Sequence, residues 1–185
     1  VLSLVEAGSY CLLPSCPLAT ANVNRELSYE TSPFLNNTSL NTVNVGGKAK
    51  TIFSNEFTGC SAIKVLTNSG ELNTIQSQAF KSKALTDITL DGDKLAVGSA
   101  AFMDCSSLAS VIFGTGVGNI GNQAFKNCVK IRSALSLGSV NDITIGNEAF
   151  MNCPTITNFT LGQGVTSIGN DAFNGCSLIT TINLS

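Results

Sequence analysis

The chain of 185 residues has no histidine and no tryptophan, and only 12% of it is charged. Without histidine there is no His general base, no Ser–His or Cys–His pair, and no copy of the commonest metal ligand. Ten Lys and Arg against twelve Asp and Glu leave a formal charge of −2. No basic stripe gathers phosphates, which speaks against a nucleic-acid partner. No apolar run approaches the roughly 18 residues of a membrane span, and no Lys/Arg-rich amphipathic helix points to a membrane surface, so no membrane insertion is expected. Apolar residues make up 43%, too many for a disordered chain. The chain opens on Val1 with no basic segment ahead of an apolar one, so no intact leader is visible and the sequence reads as processed or as an excerpt.

What the chain does have is a period. Phe34, Phe57, Phe80, Phe102, Phe125, Phe150 and Phe173 follow one another at intervals of 23, 23, 22, 23, 25 and 23 residues. Self-similarity of this length signals a stacked repeat architecture. With each Phe as zero, apolar residues recur at −1, 0, +3, +6, +9 and +11, as in Ala101, Phe102, Cys105, Leu108, Val111 and Phe113. Another falls five places before each Phe from Phe57 onward: Ile52, Ile75, Val97, Ile120, Ile145 and Ile168. The positions −1, 0, +3 and +6 fit a short helical or 3₁₀ turn with one buried face. The pair at +9 and +11 alternates with polar neighbours, as in a half-buried strand. One such unit cannot bury its own apolar face, so neighbours must stack. The expected fold is an α/β solenoid: a right-handed coil of about seven repeats of 22–25 residues, with one parallel sheet, an extended return segment, short helical turns and a single internal ladder of Phe side chains.

The irregularities also predict structure. The Phe80 unit is one residue short and carries Lys83 where its relatives carry Cys. The Phe125 unit is two residues long, which predicts a strand slipped to Leu135 and Leu137 and a bulge or longer turn around Ser133–Asp142. Residues 1–30 do not fit the repeat and are expected to cap the stack; residues 31–185 are the solenoid. No matching cover is evident at the other end, so Ile182 and Leu184 are candidate end-to-end contacts.

The strings Ile120-Gly121-Asn122-Gln123-Ala124-Phe125-Lys126-Asn127-Cys128 and Ile168-Gly169-Asn170-Asp171-Ala172-Phe173-Asn174-Gly175-Cys176 resemble the BspA-type leucine-rich repeats of bacterial and protozoal surface proteins. The likeness covers residues 33–185 and is strongest from Phe102 onward; Pro33-Phe34, Glu56-Phe57 and Lys83 depart from it. It implies a leucine-rich-repeat coil in an extracellular or cell-surface binding protein, often an adhesin, without enzymatic activity.

Other motifs have plainer readings. Gly116-Val117-Gly118-Asn119-Ile120-Gly121 spells a dinucleotide fingerprint, but the repeat leaves no room for the helix that would receive pyrophosphate; these are turn glycines. No cofactor is expected. Cys60, Cys105, Cys128, Cys153 and Cys176 share the offset +3 and read as a buried ladder of small apolar side chains. With no C-x-x-C pair and no His, no metal site is expected. Cys11 and Cys16 lie outside the repeat between prolines and are a candidate disulfide closing the cap. Asp91-Gly92-Asp93 supplies too few oxygens for calcium. Asn36, Asn37, Asn158 and Asn183 head glycosylation sequons.

The outward face of the sheet is the candidate binding surface. Strand alternation places Thr42, Asn44, Val65, Thr67, Asp87 and Thr89 on it in the first half. Ser110, Ile112, Asn158, Thr160, Thr181 and Asn183 continue it. Solenoids present extended faces of this kind to partners. The expected function is therefore a non-enzymatic interaction module that binds a protein partner or copies of itself. The alternative is a structural protomer that polymerises end to end. An enzyme would need a carboxylate or Lys constellation that the repeats do not supply, and the Thr pattern is too irregular for ice.

Overall fold

The computed structural model describes residues 17–24, 33–69, 71–92, 94–132, 134–137 and 142–184. The coil has two sheet walls and a wall of turns. The first wall is built from β1 (Thr20–Val23), β2 (Thr42–Val45), β4 (Val65–Asn68), β6 (Asp87–Leu90) and β8 (Ser110–Phe113), then β10 (Leu135–Ser136), β12 (Asn158–Leu161) and β14 (Thr181–Leu184). The second wall is built from β3 (Thr51–Ile52), β5 (Thr74–Ile75), β7 (Leu95–Val97), β9 (Val117–Ile120), β11 (Ile143–Ile145) and β13 (Val165–Ile168). All pairings are parallel, each strand meeting its equivalent one coil away. The segment expected only to return the chain is thus a sheet of its own. The Ile or Val five places before Phe points inward, at 0–2% exposure for Ile52, Ile75, Val97, Ile120 and Ile145, joined in the longer strands by buried Leu95, Val117 and Ile143.

The aromatic spine forms as expected. Adjacent Phe rings from Phe34 to Phe173 stack at centroid distances of 5.1–5.5 Å and interplanar angles of 1–23°. Contact between ring planes needs only about 3.5–4.0 Å, so the rings are slipped sideways, the arrangement that the ring quadrupole favours. Seven rings bound six full turns of the coil.

The turn wall is not helical, and no helix forms among the described residues. From Phe80 onward, residues two places before and after each Phe are left-handed: Gln78 (φ 62°) and Ser82 (φ 56°) flank Phe80, and Gln123 (φ 58°) and Asn127 (φ 63°) flank Phe125. Alternation of right- and left-handed residues points every second peptide along the stack. Gln78, Phe80 and Ser82 donate their N–H groups to the carbonyls of Ser99, Ala101 and Met103 in the next coil, at 3.0, 2.8 and 2.8 Å. Phe125 donates likewise to Ala149 at 2.8 Å. A helix would spend those N–H groups within its own turn; here they join coil to coil. The α/β expectation is corrected to a parallel-sheet β-solenoid.

The long Phe125 unit breaks the first wall. The sheet separates into β1-β2-β4-β6-β8 and β10-β12-β14, while β9 and β11 stay paired in the second wall. Leu135 and Leu137 are the buried residues of the slipped strand, at 1% and 2% exposure. Phe113 occupies the adjoining core, edge-on to Phe125 (5.8 Å) and Phe150 (6.5 Å). The anticipated bulge falls partly on residues 133 and 138–141, outside the described residues. Within the segment expected to cap the stack, β1 pairs in register with β2.

Candidate interaction faces

Strand alternation sets the first face. Inward Val43, Leu66, Ile88 and Val111 are buried, so their neighbours point out. Thr42, Val65, Asp87 and Ser110 lie side by side in register. Asn44 pairs with Thr67, and Thr89 with Ile112. Side chains in this row bond to one another: Asn44 Nδ2 donates to Asn22 Oδ1 at 2.9 Å, and Thr67 Oγ1 to Asn44 Oδ1 at 2.8 Å. Across the breach, Asn158 pairs with Thr181 and Thr160 with Asn183. The expected residues all face outward, but as two panels rather than one. Ile112, 56% exposed, stands at the border of the larger panel. Asp87 on this panel accepts a hydrogen bond from Thr86 Oγ1 at 2.6 Å.

The second wall has an outward face that alternation did not reveal, because strands of two to four residues are too short to show a period. Thr51, Thr74, Ala96, Asn119, Thr144 and Ser167 pair in one row across all six strands. Beside it runs a second polar row. Asn122 Oδ1 accepts the N–H of Asn147 at 2.9 Å, and Asn147 Oδ1 accepts that of Asn170 at 2.8 Å.

The remaining chemistry-bearing residues are structural. Each ladder thiol donates to the carbonyl of a Phe in the preceding coil, as Cys105 Sγ does to Phe80 O at 3.1 Å and Cys153 Sγ to Phe125 O at 3.1 Å. Burial pushes the Cys105 and Cys153 thiols up to about 12, and pushes Cys128 up as well. These cysteines are free and too weakly acidic to act as nucleophiles at neutral pH. Lys83, half-buried in the same column, has its pKa lowered by burial. Among the described residues no group of His, Cys, Asp or Glu could hold a metal ion, and no helix is long and apolar enough to cross a membrane. The Gly116–Gly121 string forms β9 and its turn, with no helix to receive a cofactor. Asp91 Oδ1 accepts the N–H groups of Gly92 (3.0 Å) and Gly116 (3.3 Å), which ties one corner of the coil to the next; Asp93 lies outside the described residues. Asn37 is buried and caps a turn through Oδ1 to the N–H of Leu40 at 3.0 Å, whereas Asn36, Asn158 and Asn183 are exposed. Ile182 is 44% exposed and Leu184 ends β14. Cys11 and Cys16 lie outside the described residues.

This geometry is that of a repeat family. A family model described as the BspA type leucine rich repeat region matches in six copies, over residues 6–105, 28–144 and 143–185. The chain belongs to this family. Among solved structures, the BspA-type coil is similar to a leucine rich repeat protein of T. pallidum, with TM-score 0.56 and 21% identity, over 64% of this chain and 57% of that one. It is also similar to a leucine rich cell surface protein of Faecalibacterium prausnitzii, with TM-score 0.53 and 18% identity, over 91% of this chain and 60% of that one. At these identities the likeness is one of fold, and the chain spans less than two thirds of either structure's length. No curated protein matches the chain. BspA-type repeats form a scaffold of the kind that generally binds proteins.

Proposed function

We propose that this chain is a non-enzymatic cell-surface scaffold that binds a protein partner through the outward face of its first wall. The observation that carries the reading is the in-register row Asn22, Asn44 and Thr67, whose side chains are already ordered by hydrogen bonds to one another. Groups fixed before binding lose little entropy on contact. Family membership and the surface-protein likeness support an extracellular setting. The buried, protonated thiols support a role without catalysis.

The test is binding to a panel of purified matrix glycoproteins by biolayer interferometry. Thr89→Glu and Thr160→Glu place a charge on each panel without touching the core. Loss of binding in one variant, with an unchanged melting temperature, locates the contact on that panel. Binding that survives both substitutions contradicts the reading.

A second reading, end-to-end stacking, rests on the exposure of Ile168 (45%), Leu178 (52%) and Ile182 (44%). It applies where no further coil of the chain covers them. Sedimentation velocity over a wide concentration range decides: a growing mass supports it, and a constant monomer mass refutes it.

A further inference from the structure

On the second wall, an open recess of about 390 Å³ is lined by Ser54, Thr74, Gln76, Ser77, Ala96 and Gly98. It exists because the column four places before each Phe changes from Phe53 and Gln76 to Gly98. Gly98 is forced there: a Cβ would lie 2.6 Å from Ser77 N and 2.7 Å from Gln76 C. The floor is therefore backbone, and its donors are open. In the neighbouring coils the equivalent N–H groups are satisfied, at Ser54 by Gln76 Oε1 (3.2 Å) and at Asn147 and Asn170 by side-chain amides. The N–H groups of Ser77, Ser99 and Asn122 have no acceptor among the described residues. The bond to Ser54 also fixes the Gln76 amide, leaving its two hydrogens to donate outward.

We propose that this recess and the donor row beyond it bind an uncharged, hydroxyl-rich polymer, a neutral glycan strand laid along the solenoid axis. The lining offers hydroxyls, amides and backbone donors and carries no charge, so it complements acceptor oxygens that are themselves uncharged. The recess lies within the usual size of ligand sites, about 300–1,000 Å³. Spacing separates a glycan from a peptide. Successive donors are one coil apart, about 4.8 Å, whereas an extended peptide turns a carbonyl to the same side only every ~6.6 Å. A peptide running along the axis falls out of register within two coils. A pyranose advances by close to one coil per ring and keeps it.

The test is affinity electrophoresis of the whole chain in gels containing hydroxyethylcellulose, mannan or dextran, with alginate as a charged control. The expected result is retardation in at least one neutral gel and none in alginate. Ala96→Trp fills the recess and abolishes retardation. Gln76→Ala removes one donor set without filling it and weakens retardation about fivefold, which keeps the test decisive if the Trp variant melts early. Thr89→Glu, on the opposite wall, leaves retardation unchanged, so failure here is distinct from failure of the first-wall reading. No retardation in any neutral gel, equal retardation in alginate, or retardation untouched by Gln76→Ala with Ala96→Trp folded or misfolded, overturns the proposal.

Discussion

The two sheet walls answer the same insertion differently. The first wall, which follows directly after the extra residues of the Phe125 unit, parts into five strands and three. The second wall remains one six-stranded sheet, with β9 and β11 paired across the insertion at Asn119–Thr144 and Ile120–Ile145. The turn wall does not register it at all: Phe125 and Phe150 stack at 5.1 Å, as closely as any pair in the spine. Continuity of this solenoid therefore resides in its stacked rings and turn peptides, and the sheets follow. A one-place slip turns every side chain of a strand to the wrong face. Giving up the β8–β10 ladder lets Leu135 and Leu137 stay inward at the expense of a few backbone bonds.

The most forceful way to break this comparison is Phe125→Ala. Phe125 is fully buried between two stacked rings and one edge-on ring. Its loss should cost roughly 3–5 kcal/mol in urea denaturation, far more than any first-wall surface substitution, which should stay within about 0.5 kcal/mol. A milder cost would mean that the sheets carry the stack. Next comes Gly121→Ala, which tests how tightly the second wall is packed. The added Cβ would lie 2.8 Å from Gly98 C and Ser99 N, and the strain should cost about 1–3 kcal/mol. A neutral result would show a second wall as yielding as the first.

A smaller effect of opposite sign is expected at Gln78. It is exposed and left-handed at φ 62°, a geometry that costs a side-chain-bearing residue about 1–2 kcal/mol. Glycine adds about 0.5–1 kcal/mol of chain entropy loss, so Gln78→Gly should stabilise by about 0.5–1 kcal/mol and raise the melting temperature. The least effect is expected from pH near neutrality. The thiols of Cys105 and Cys153 are raised from 9.0 to about 12. Stability from a raised acid is complete below its unfolded value and is lost as pH rises toward the folded one. The denaturation midpoint should therefore hold steady from pH 7 to 8.5 and fall above about 9. A midpoint that does not fall above pH 9 would show that the thiols are not buried in solution.

Much of this was legible in the residues. A 23-residue Phe period identifies a stack, and the 25-residue interval marks the place of the breach. The helical turn was misread because Ala, Phe and Cys at −1, 0 and +3 suit one face of a helix as well as an alternating turn. The discriminating signal was present two places after Phe, where Asn36, Gly59, Asp104, Asn127, Asn152 and Gly175 are residues that accept left-handed backbone. Outward residues of the first wall followed from alternation. Those of the second did not, since Thr51-Ile52 and Thr74-Ile75 are strands of two, and neither the recess at Gly98 nor its open donors leave any periodic trace.

Native-state hydrogen exchange across the breach tests the central claim most directly. The N–H of Phe125 bonds to Ala149 across it, whereas those of Val111 and Phe113 face the edge of β8 where no ladder forms among the described residues. Strong protection at Phe125 with rapid exchange at Val111 and Phe113 is the predicted result. Equal protection at all three, or rapid exchange at Phe125, would contradict a solenoid held together by its aromatic spine.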